Sequence, residues 1–251
     1  MHTQRPETPK RLQSDTPLDI REKGAPTPDG EPQASTRRLF MQLQGFTGCL
    51  HPETLIEPLS ASDLEIVLYQ DLNNPHGVGI LFLTEDPGAL VTEARRLLAT
   101  QSFANLRPKP ELTMVGRTYS TGREPDLEDW LLLKPRRYVL NSDFVWAVWY
   151  PLRRKPAFYR LPKPQQGKIL GEHAMHGRAY VEAGYAHDIR LACFGLDQND
   201  NDFVIGLIGE ELYPLSRLVQ EMRQTEQTSE HLESLGPFFV GKVCWQTSLK
   251  S

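Results

Sequence analysis

The strongest constraint on the fold is an internal repeat in which two short strands are followed by a helix. In the first copy, two runs of alternating or apolar residues flank a turn-forming Asn-Asn-Pro-His-Gly segment and precede an amphipathic helical pattern. A second copy with the same order lies about 125 residues further along. The strands are 64–70 and 79–84, then 189–194 and 203–208, and the helices begin near Asp86 and Glu210. Because each helix can cover one face of its own hairpin, the repeat predicts two similar halves.

Further strands and a connecting helix complete this pattern. Strands are predicted at 38–48, 114–120, 145–150 and 238–246, and an acidic-then-apolar segment at 125–135 predicts a helix. Strands and helices in this order indicate an α+β fold of two ferredoxin-like halves, residues 39–135 and 136–251. Two such sheets can pair edge to edge, so we expect a dimeric α+β barrel.

The first 38 residues have a different composition. Six prolines interrupt them, and large apolar side chains are almost absent. Such a segment cannot bury enough surface to offset its ordering entropy, so residues 1–38 are predicted to be a disordered extension. The segment lacks the apolar core of a signal peptide, and no apolar run of roughly 18 residues occurs in the chain. We therefore expect a cytoplasmic protein without a membrane span.

Charge and cysteine content narrow the class of protein further. The net charge is -4 and the pI is near 6.0, without a basic stripe, which argues against a nucleic-acid partner. Cys49, Cys193 and Cys244 are odd in number and lack Cys-x-x-Cys spacing. They favour reduced, buried thiols over a disulfide framework or a structural zinc site.

Residues 146–180 concentrate the side chains that can carry chemistry. A predicted strand places Tyr150 and Trp149 on opposite faces, and Pro151 is expected to end it. Arg153 and Arg154 follow at once. Such a cation run is commonly a solvated loop, but an arginine pair beside aromatic residues is also suited to bidentate pairing with carboxylates.

A predicted helix at 164–180 carries two histidines. His173 and His176 lie three residues apart and so on neighbouring positions of the helix surface. No third ligand at a characteristic distance accompanies them, which argues against zinc. From spacing alone, an ordinary surface or core histidine is the default explanation for each.

Four motifs in the same order resemble those of the chlorite dismutase-like haem protein family, which includes chlorite dismutases and coproheme decarboxylases. Tyr-Pro-Leu-Arg-Arg at 150–154 is similar to the family's Tyr-Pro-Met-Ser-Lys, and Phe-Tyr-Arg-Leu-Pro at 158–162 to its Trp-Tyr-x-Leu-Pro. His173 with Gly177 and Arg178 resembles its His-Gly-x-x-Gly-Arg-x-Tyr. Gly-Leu-Asp at 195–197, followed by Asp-Phe, resembles its Gly-Leu-Asp-Asp-x-Asp-Phe.

The resemblance implies a site as well as a fold. It implies a barrel of two ferredoxin-like halves and subunits assembled as pentamers. By the resemblance, His173 would be the proximal iron ligand of haem b or iron coproporphyrin III, and His176 would have no such role. Tyr150 would match a radical-forming tyrosine and Arg154 a propionate-holding lysine. Together with the positions of the predicted strands, this gives Arg153, Arg154, Trp149, Arg117 and Tyr119 as the predicted cofactor-binding residues.

The chain departs from the family pattern on the distal side and beside the proximal histidine. Chlorite-degrading members carry a distal arginine and decarboxylases a glutamine, but counting along this chain reaches Asp188 or Ala186, with His187 and Arg190 as neighbours. The sequence leaves the distal residue open among these four. A glutamate that supports the proximal histidine in chlorite degraders is matched by Ile208.

These observations lead to a haem-dependent oxidoreductase, coproheme decarboxylase-like or peroxidase-like, that uses peroxide. Tyr150, Asp188 and Arg190 are the predicted catalytic residues. The first alternative is a chlorite dismutase, which converts chlorite to chloride and dioxygen. The second is of another class, a non-catalytic haem-binding or haem-carrier protein, and the missing distal arginine or glutamine keeps it open.

Overall fold

A computed structural model describes residues 17–249. This part of the chain forms both strands and helices. The strands are β1 (Glu22–Lys23), β2 (Ala34–Ser35), β3 (Phe40–Thr47), β4 (Glu65–Asp71), β5 (Gly77–Thr84), β6 (Arg107–Arg117), β7 (Trp146–Arg154), β8 (His187–Ala192), β9 (Phe203–Gly209), β10 (Leu232–Leu235) and β11 (Phe239–Gln246). The α-helices are α1 (Ile56–Ser60), α2 (Gly88–Val91), α3 (Glu93–Leu98), α4 (Lys134–Val139), α5 (Pro156–Arg160), α6 (Lys163–Glu182), α7 (Leu212–Met222) and α8 (Glu226–His231). Two 3₁₀ turns, Pro52–Leu55 and Gln101–Phe103, and a π-helix, Asp129–Leu133, complete the secondary structure.

Nine of these strands form one sheet whose two parts have the same strand order. The order is β4-β5-β3-β6 in the first half and β8-β9-β7-β11 in the second. Both run second-third-first-fourth along the chain, which is the arrangement of a ferredoxin-like unit. β11 pairs with β4 and β6 pairs with β8, so the two parts close into a ring, and β10 extends the sheet beside β7. The predicted α+β class is confirmed.

Strand alternation divides the apolar residues between the inside and the outside of this ring. The inside is filled by a cluster that includes Trp149 and Phe239. Two glycines face these rings: a Cβ on Gly206 would lie 2.5 Å from the Trp149 ring, and one on Gly79 would lie 2.4 Å from Phe239. Both positions therefore require glycine, because the aromatic ring occupies the space of a side chain.

The outer faces of the two halves are covered by helices of different size. Over the first half, the cluster of Ile66, Phe82 and Leu90 includes residues of the short helix α2. α2 and α3 replace the single predicted helix and meet at Thr92, whose backbone angles (φ -112°, ψ -73°) depart from regular helical values. The Thr92 hydroxyl also donates to the Gly88 carbonyl (2.9 Å). Over the second half, α7 packs on β7 and β9, and the 20-residue α6 packs on α7, α8 and β8. The second half thus has two helical layers over part of its sheet.

The structure differs from the predicted disordered extension over residues 17–38. β1 and β2 pair as a short hairpin, Glu22 opposite Ser35 and Lys23 opposite Ala34. This hairpin is tied to the connection between the halves, for example by the Ala25 N–H, which donates to the Glu124 carbonyl (2.9 Å). Contacts with a folded neighbour, rather than its own apolar content, order this stretch. Residues 1–16, to which the prediction also applies, lie outside the described residues.

Pro151 does not end its strand. β7 continues through it to Arg154, with Pro151 opposite Val204 of β9. The proline carbonyl accepts a hydrogen bond from the Gly236 N–H (2.9 Å), so only the missing donor is lost to the ladder. The boundary predicted between residues 135 and 136 falls inside α4. None of the helices within residues 17–249 combines the length and apolar character needed to cross a membrane.

Candidate functional site

Three of the predicted site residues lie on the outer face of the second half. In the sheet, Tyr150 is opposite Ile205 of β9, which is opposite Arg190 of β8. Asp188 is two residues before Arg190 on β8, so it points to the same side. The structure therefore brings Tyr150, Asp188 and Arg190 together on one face.

Tyr150 is almost fully buried on this face. Its ring stacks on Phe238, with centroids 4.6 Å apart. Burial raises the pKa of Tyr150 far above its usual range, and the negative charge of Asp188 acts in the same direction. The phenol consequently keeps its proton at neutral pH.

Asp188 and Arg190 form an ion pair, with 2.8 Å between the Arg190 Nε and an Asp188 carboxylate oxygen. The Arg190 guanidinium also lies over the Trp130 ring, 5.1 Å from its centroid. The side chains are 32% and 40% exposed, so the pair is reachable from solvent. Arg190 is thus a cation held in place by a carboxylate and an aromatic ring.

The other two candidates for the distal position are arranged differently. Ala186 is buried in the apolar cluster and carries no polar group. His187 points to the opposite side from Asp188, where its ring stacks between Tyr138 (4.3 Å) and Phe144 (4.5 Å). Of the four alternatives, the face of Tyr150 receives the functional groups of Asp188 and Arg190.

His173 lies on α6 and is half-buried. Its Nδ1 is 3.1 Å from the Thr225 hydroxyl, and that hydroxyl is 2.8 Å from the Met222 carbonyl. A carbonyl can only accept, so the Thr225 proton goes to Met222 and the Thr225 oxygen accepts from His173. His173 therefore carries its proton on Nδ1, which leaves the lone pair on Nε2.

Electrostatics keep this imidazole neutral. Burial lowers the pKa of His173 to about 4, and the positive charges of Arg154 and Arg190 act in the same direction. Asp188 acts in the opposite direction, without reversing the shift. A neutral imidazole with an available Nε2 is the form that binds a transition metal.

Arg154 is a half-buried cation with an unused donor. Its guanidinium lies over the rings of Phe203 (4.6 Å) and Phe158 (5.0 Å), and its backbone N–H donates to the Asp202 carboxylate (2.8 Å). The Arg154 Nε is buried and has no hydrogen-bond partner among the described residues. The hydroxyl of Tyr159 donates to the same Asp202 carboxylate (2.6 Å), which fixes the surroundings of this cation.

Two predicted cofactor-binding residues lie elsewhere. Because β7 continues past Pro151, Arg153 points away from Arg154, and its guanidinium donates to the carbonyls of Asn199 and Asp200. Trp149 is fully buried inside the ring, on the side of the sheet opposite Tyr150. The structure does not bring either side chain to the candidate site.

Arg117 and Tyr119 lie at the edge of the same face. Arg117 is opposite Ala192 in the sheet, and its guanidinium is 2.9 Å from the carboxylate of Glu22. The Tyr119 ring lies 5.5 Å from Phe203. Burial raises the pKa of Tyr119. Tyr119 lines a cavity together with Trp130, Asp188 and Arg190, so it faces the site.

Sequence reasoning missed several members of the site. Thr225 supports His173, whereas Ile208, the residue matched to a supporting glutamate, lies inside the ring. The Trp130 ring lies beneath the Arg190 guanidinium. The sequence placed Trp130 in the predicted connecting helix but assigned it no function. Asp202 is the aspartate of the Asp-Phe pair that follows Gly-Leu-Asp, so this motif could have pointed to it. No pattern singles out Thr225 in its polar segment.

A family model described as "Chlorite dismutase" matches residues 80–244. This chain belongs to the chlorite dismutase family. Coproheme decarboxylase of Oceanobacillus iheyensis is 33% identical over 109 residues, 42% of this chain and 42% of that protein. The match spans less than half the length of that relative.

Solved structures show the same fold for other members of the chlorite dismutase family and for a haem-binding protein. A novel haem-binding protein from Thermus thermophilus is 21% identical, with a TM-score of 0.65, over 82% of this chain and 91% of its own. A putative chlorite dismutase is 13% identical, with a TM-score of 0.67, over 83% and 95%. Chlorite dismutase from Candidatus Nitrospira defluvii, in complex with imidazole, is 15% identical, with a TM-score of 0.62, over 83% and 92%. At these identities the likeness establishes the fold alone.

Proposed function

We propose that the outer face of the second half would hold an iron porphyrin, haem b or iron coproporphyrin III, and that His173 would bind its iron. The proposal is carried by the state of His173: a neutral ring with its proton committed to Thr225 and its Nε2 lone pair free. Imidazole is a common axial ligand of haem iron. Membership of the chlorite dismutase family and the haem-binding protein of the same fold support this assignment.

The surrounding residues fit the remaining features of a porphyrin. Its carboxylates require cations with free donors, and the buried Nε of Arg154 is such a donor. The Arg154 guanidinium lies over the rings of Phe203 and Phe158, which restrict its position. Apolar residues of β7, β9 and α7 line the same face and exclude water from it.

We propose that the reaction is a peroxide-dependent oxidation of the coproheme decarboxylase type. When bound, the iron porphyrin supplies the oxidising chemistry. Tyr150, whose buried phenol keeps its proton, gives up an electron together with that proton and so relays oxidation to a propionate. Each propionate then loses carbon dioxide and two hydrogen atoms to become a vinyl group, while one hydrogen peroxide is reduced to two waters. Arg190, held by Asp188, is the cation available to the oxidant.

Mass spectrometry of the porphyrin tests this reaction. The chain is incubated with iron coproporphyrin III and hydrogen peroxide, and the expected product has lost the mass of carbon dioxide and two hydrogens for each propionate converted. Tyr150→Phe keeps the ring packing on Phe238 but removes the hydroxyl, so binding is expected to persist and decarboxylation to stop. A wild-type chain that binds the porphyrin but yields no such product contradicts the proposed reaction.

Chlorite dismutation is the second candidate, favoured by one observation. Arg190 lies on the face of Tyr150, where a cation can hold an anionic oxidant. Its charge is, however, paired with Asp188, which weakens its hold on a second anion. An oxygen electrode decides between the two: oxygen release on adding chlorite supports dismutation, and a flat trace excludes it. Porphyrin binding without either activity identifies a haem carrier.

The assembly and location are also proposals. The family resemblance supports a homopentamer, and the cytoplasmic location stays a prediction from the sequence. Light scattering of the purified chain at several concentrations measures the subunit number, and any mass other than five subunits contradicts a pentamer.

A further inference from the structure

The segment that joins the two halves is held from both sides. On one side, Thr118 continues the pairing with β3: its N–H donates to the Leu39 carbonyl (2.8 Å), and its hydroxyl accepts from the Leu39 N–H (2.9 Å). On the other side lies the hairpin of β1 and β2. The segment from Thr118 to Leu127, called here the connecting segment, therefore has a neighbour on both sides at its start.

Glu22 of the hairpin makes the first group of contacts. One carboxylate oxygen is 2.9 Å from the Arg117 guanidinium, and the other accepts from the Ser120 N–H (3.0 Å). The Ser120 hydroxyl lies 2.8 Å from the Lys23 carbonyl. The Glu22 side chain is only 15% exposed, so these bonds are protected from water.

Gln33, in the other arm of the hairpin, makes the second group. Its side-chain amide donates to the carbonyls of Ala25 (2.7 Å) and Pro125 (2.8 Å), and its oxygen accepts from the Leu127 N–H (3.0 Å). Gly24 lies between these contacts, where a Cβ would be 2.9 Å from the Glu124 carbonyl oxygen. The hairpin and the connecting segment thus meet at backbone distance.

The connecting segment carries a side chain of the candidate site. Tyr119 lies against Phe203 and lines a cavity together with Trp130 and Arg190. Its carbonyl accepts from the Trp130 indole N–H (2.9 Å), and the ring of Trp130 supports Arg190. Any displacement of the segment therefore moves both Tyr119 and the surface on which Arg190 rests.

We infer that Glu22 and Gln33 are positioning residues, which hold Tyr119 at the edge of the porphyrin site through the connecting segment. The inference rests on the proposed function, because Tyr119 matters to a ligand only if that face binds one. It also reassigns Arg117: its charge is neutralised by Glu22, so the carboxylates of the ligand are left to Arg154.

The test compares Glu22→Gln and Gln33→Ala with a matched control, Asp19→Asn. Asp19 lies just before the hairpin and pairs only with Arg21 and Lys23 among the described residues, so its ion pairs do not involve the connecting segment. In the ligand-free chain, hydrogen exchange of residues 117–127 is expected to accelerate about threefold or more in the two test variants. The control is expected to match the wild type, and circular dichroism confirms that each variant is folded.

Dissociation of iron coproporphyrin III then separates positioning from general stability. Glu22→Gln is expected to speed release about threefold or more, and this effect should disappear in a Tyr119→Ala background if Glu22 acts through Tyr119. Unchanged exchange in both test variants overturns the inference, as does an equal acceleration of release with and without Tyr119. A wild-type chain that binds no porphyrin contradicts both the proposed function and the positioning role. The hydrogen-exchange measurement in the ligand-free chain then still decides whether the hairpin holds the connecting segment.

Discussion

The outer faces of the two halves differ at matched positions of the repeat. The second strand of each half presents Ile66 and Leu68 in β4, but Asp188 and Arg190 in β8, in each case opposite apolar residues of the third strand. Ile66 and Leu68 are fully buried, whereas the ion pair is partly exposed. One half uses this face to complete a core, and the other leaves charged groups on it.

The covering helices explain why the second half can do so. In the first half, short helices pack directly on the sheet and seal the apolar cluster. In the second half, α6 packs on α7, α8 and β8, so His173 lies in a second layer beside the strand that carries Asp188 and Arg190. The comparison shows that the same ferredoxin-like unit can have either a closed apolar core or a site on this face. Which of the two it has depends on whether all covering helices pack directly on the sheet or one of them packs on other helices.

His173→Ala tests the second-half face most strongly. Removing the imidazole eliminates the Nε2 that is proposed to hold the iron, so the porphyrin absorption of a His-ligated iron should be lost completely. His176→Ala, on the same helix three residues away, is the matched control and should retain the wild-type spectrum. A His173→Ala variant with an unchanged spectrum rules this residue out as the ligand.

Ile66→Asp places in the first half the charged residue found at the matched position, Asp188, of the second half. No cation is provided there, so a buried unpaired carboxylate should cost about 3–5 kcal/mol of unfolding free energy. The thermal midpoint is expected to fall by roughly 10 °C, as measured by calorimetry. The thermal midpoint of Ile66→Leu, which changes only the shape of the side chain, should fall much less. Equal effects would mean that the first face tolerates charge as the second does.

Thr225→Val removes the acceptor of the His173 Nδ1 proton while keeping the shape of the side chain. Loss of a partner of this kind commonly weakens metal binding about 10-fold or more, which a porphyrin titration measures. Thr225→Ser restores the hydroxyl and should recover wild-type binding. If Val and Ser behave alike, the hydrogen bond does not orient the ring.

Asp188→Ile combined with Arg190→Leu gives the second half the residues of the first. Because the ion pair is about a third exposed, its loss should change the unfolding free energy by less than about 1 kcal/mol. Peroxide-dependent turnover of the bound porphyrin should nevertheless fall, since the cation for the oxidant is gone. Denaturant unfolding and product analysis of the same sample check both parts, and unchanged turnover would remove Arg190 from the mechanism.

The smallest expected effect is on the pH dependence of stability. The pKa of His173 is about 4 in the folded chain and about 6.5 in an unfolded one, so the unfolded chain takes up the proton first as pH falls. Stability is therefore lost between about pH 6.5 and pH 4. Between pH 7 and pH 5, the thermal midpoint of the wild type should drop more than that of His173→Gln. Parallel curves for the two proteins would contradict a depressed pKa.

The repeat and the motifs were enough to predict the fold and some of the residues that meet on one face. Hairpin-helix order predicted both ferredoxin-like units, since local patterning specifies each one. The motifs pointed to Tyr150, Arg154 and His173, and the structure gathers them. The roles of these three stay predictions.

The errors have local and long-range causes. Treating Pro151 as a terminator hid the alternation that separates Arg153 from Arg154. Trp149 was placed on the opposite face from Tyr150, but which face lies inside depends on closure of the ring by strands far along the chain. Thr225 lies 52 residues from His173, and nothing in a single sequence links a threonine to a histidine at that separation.

The two seams that close the ring are unequal. β11 and β4 are joined over a long register from Gly241 to Gln246, whereas Arg117 opposite Ala192 is the one registered pair between β6 and β8 among the described residues. Because the β11–β4 pairing already joins the two halves, the short β6–β8 pairing leaves room for a further element to pack beside it. The hairpin of β1 and β2 lies beside the short seam, so it reaches the site without interrupting any strand of the ring.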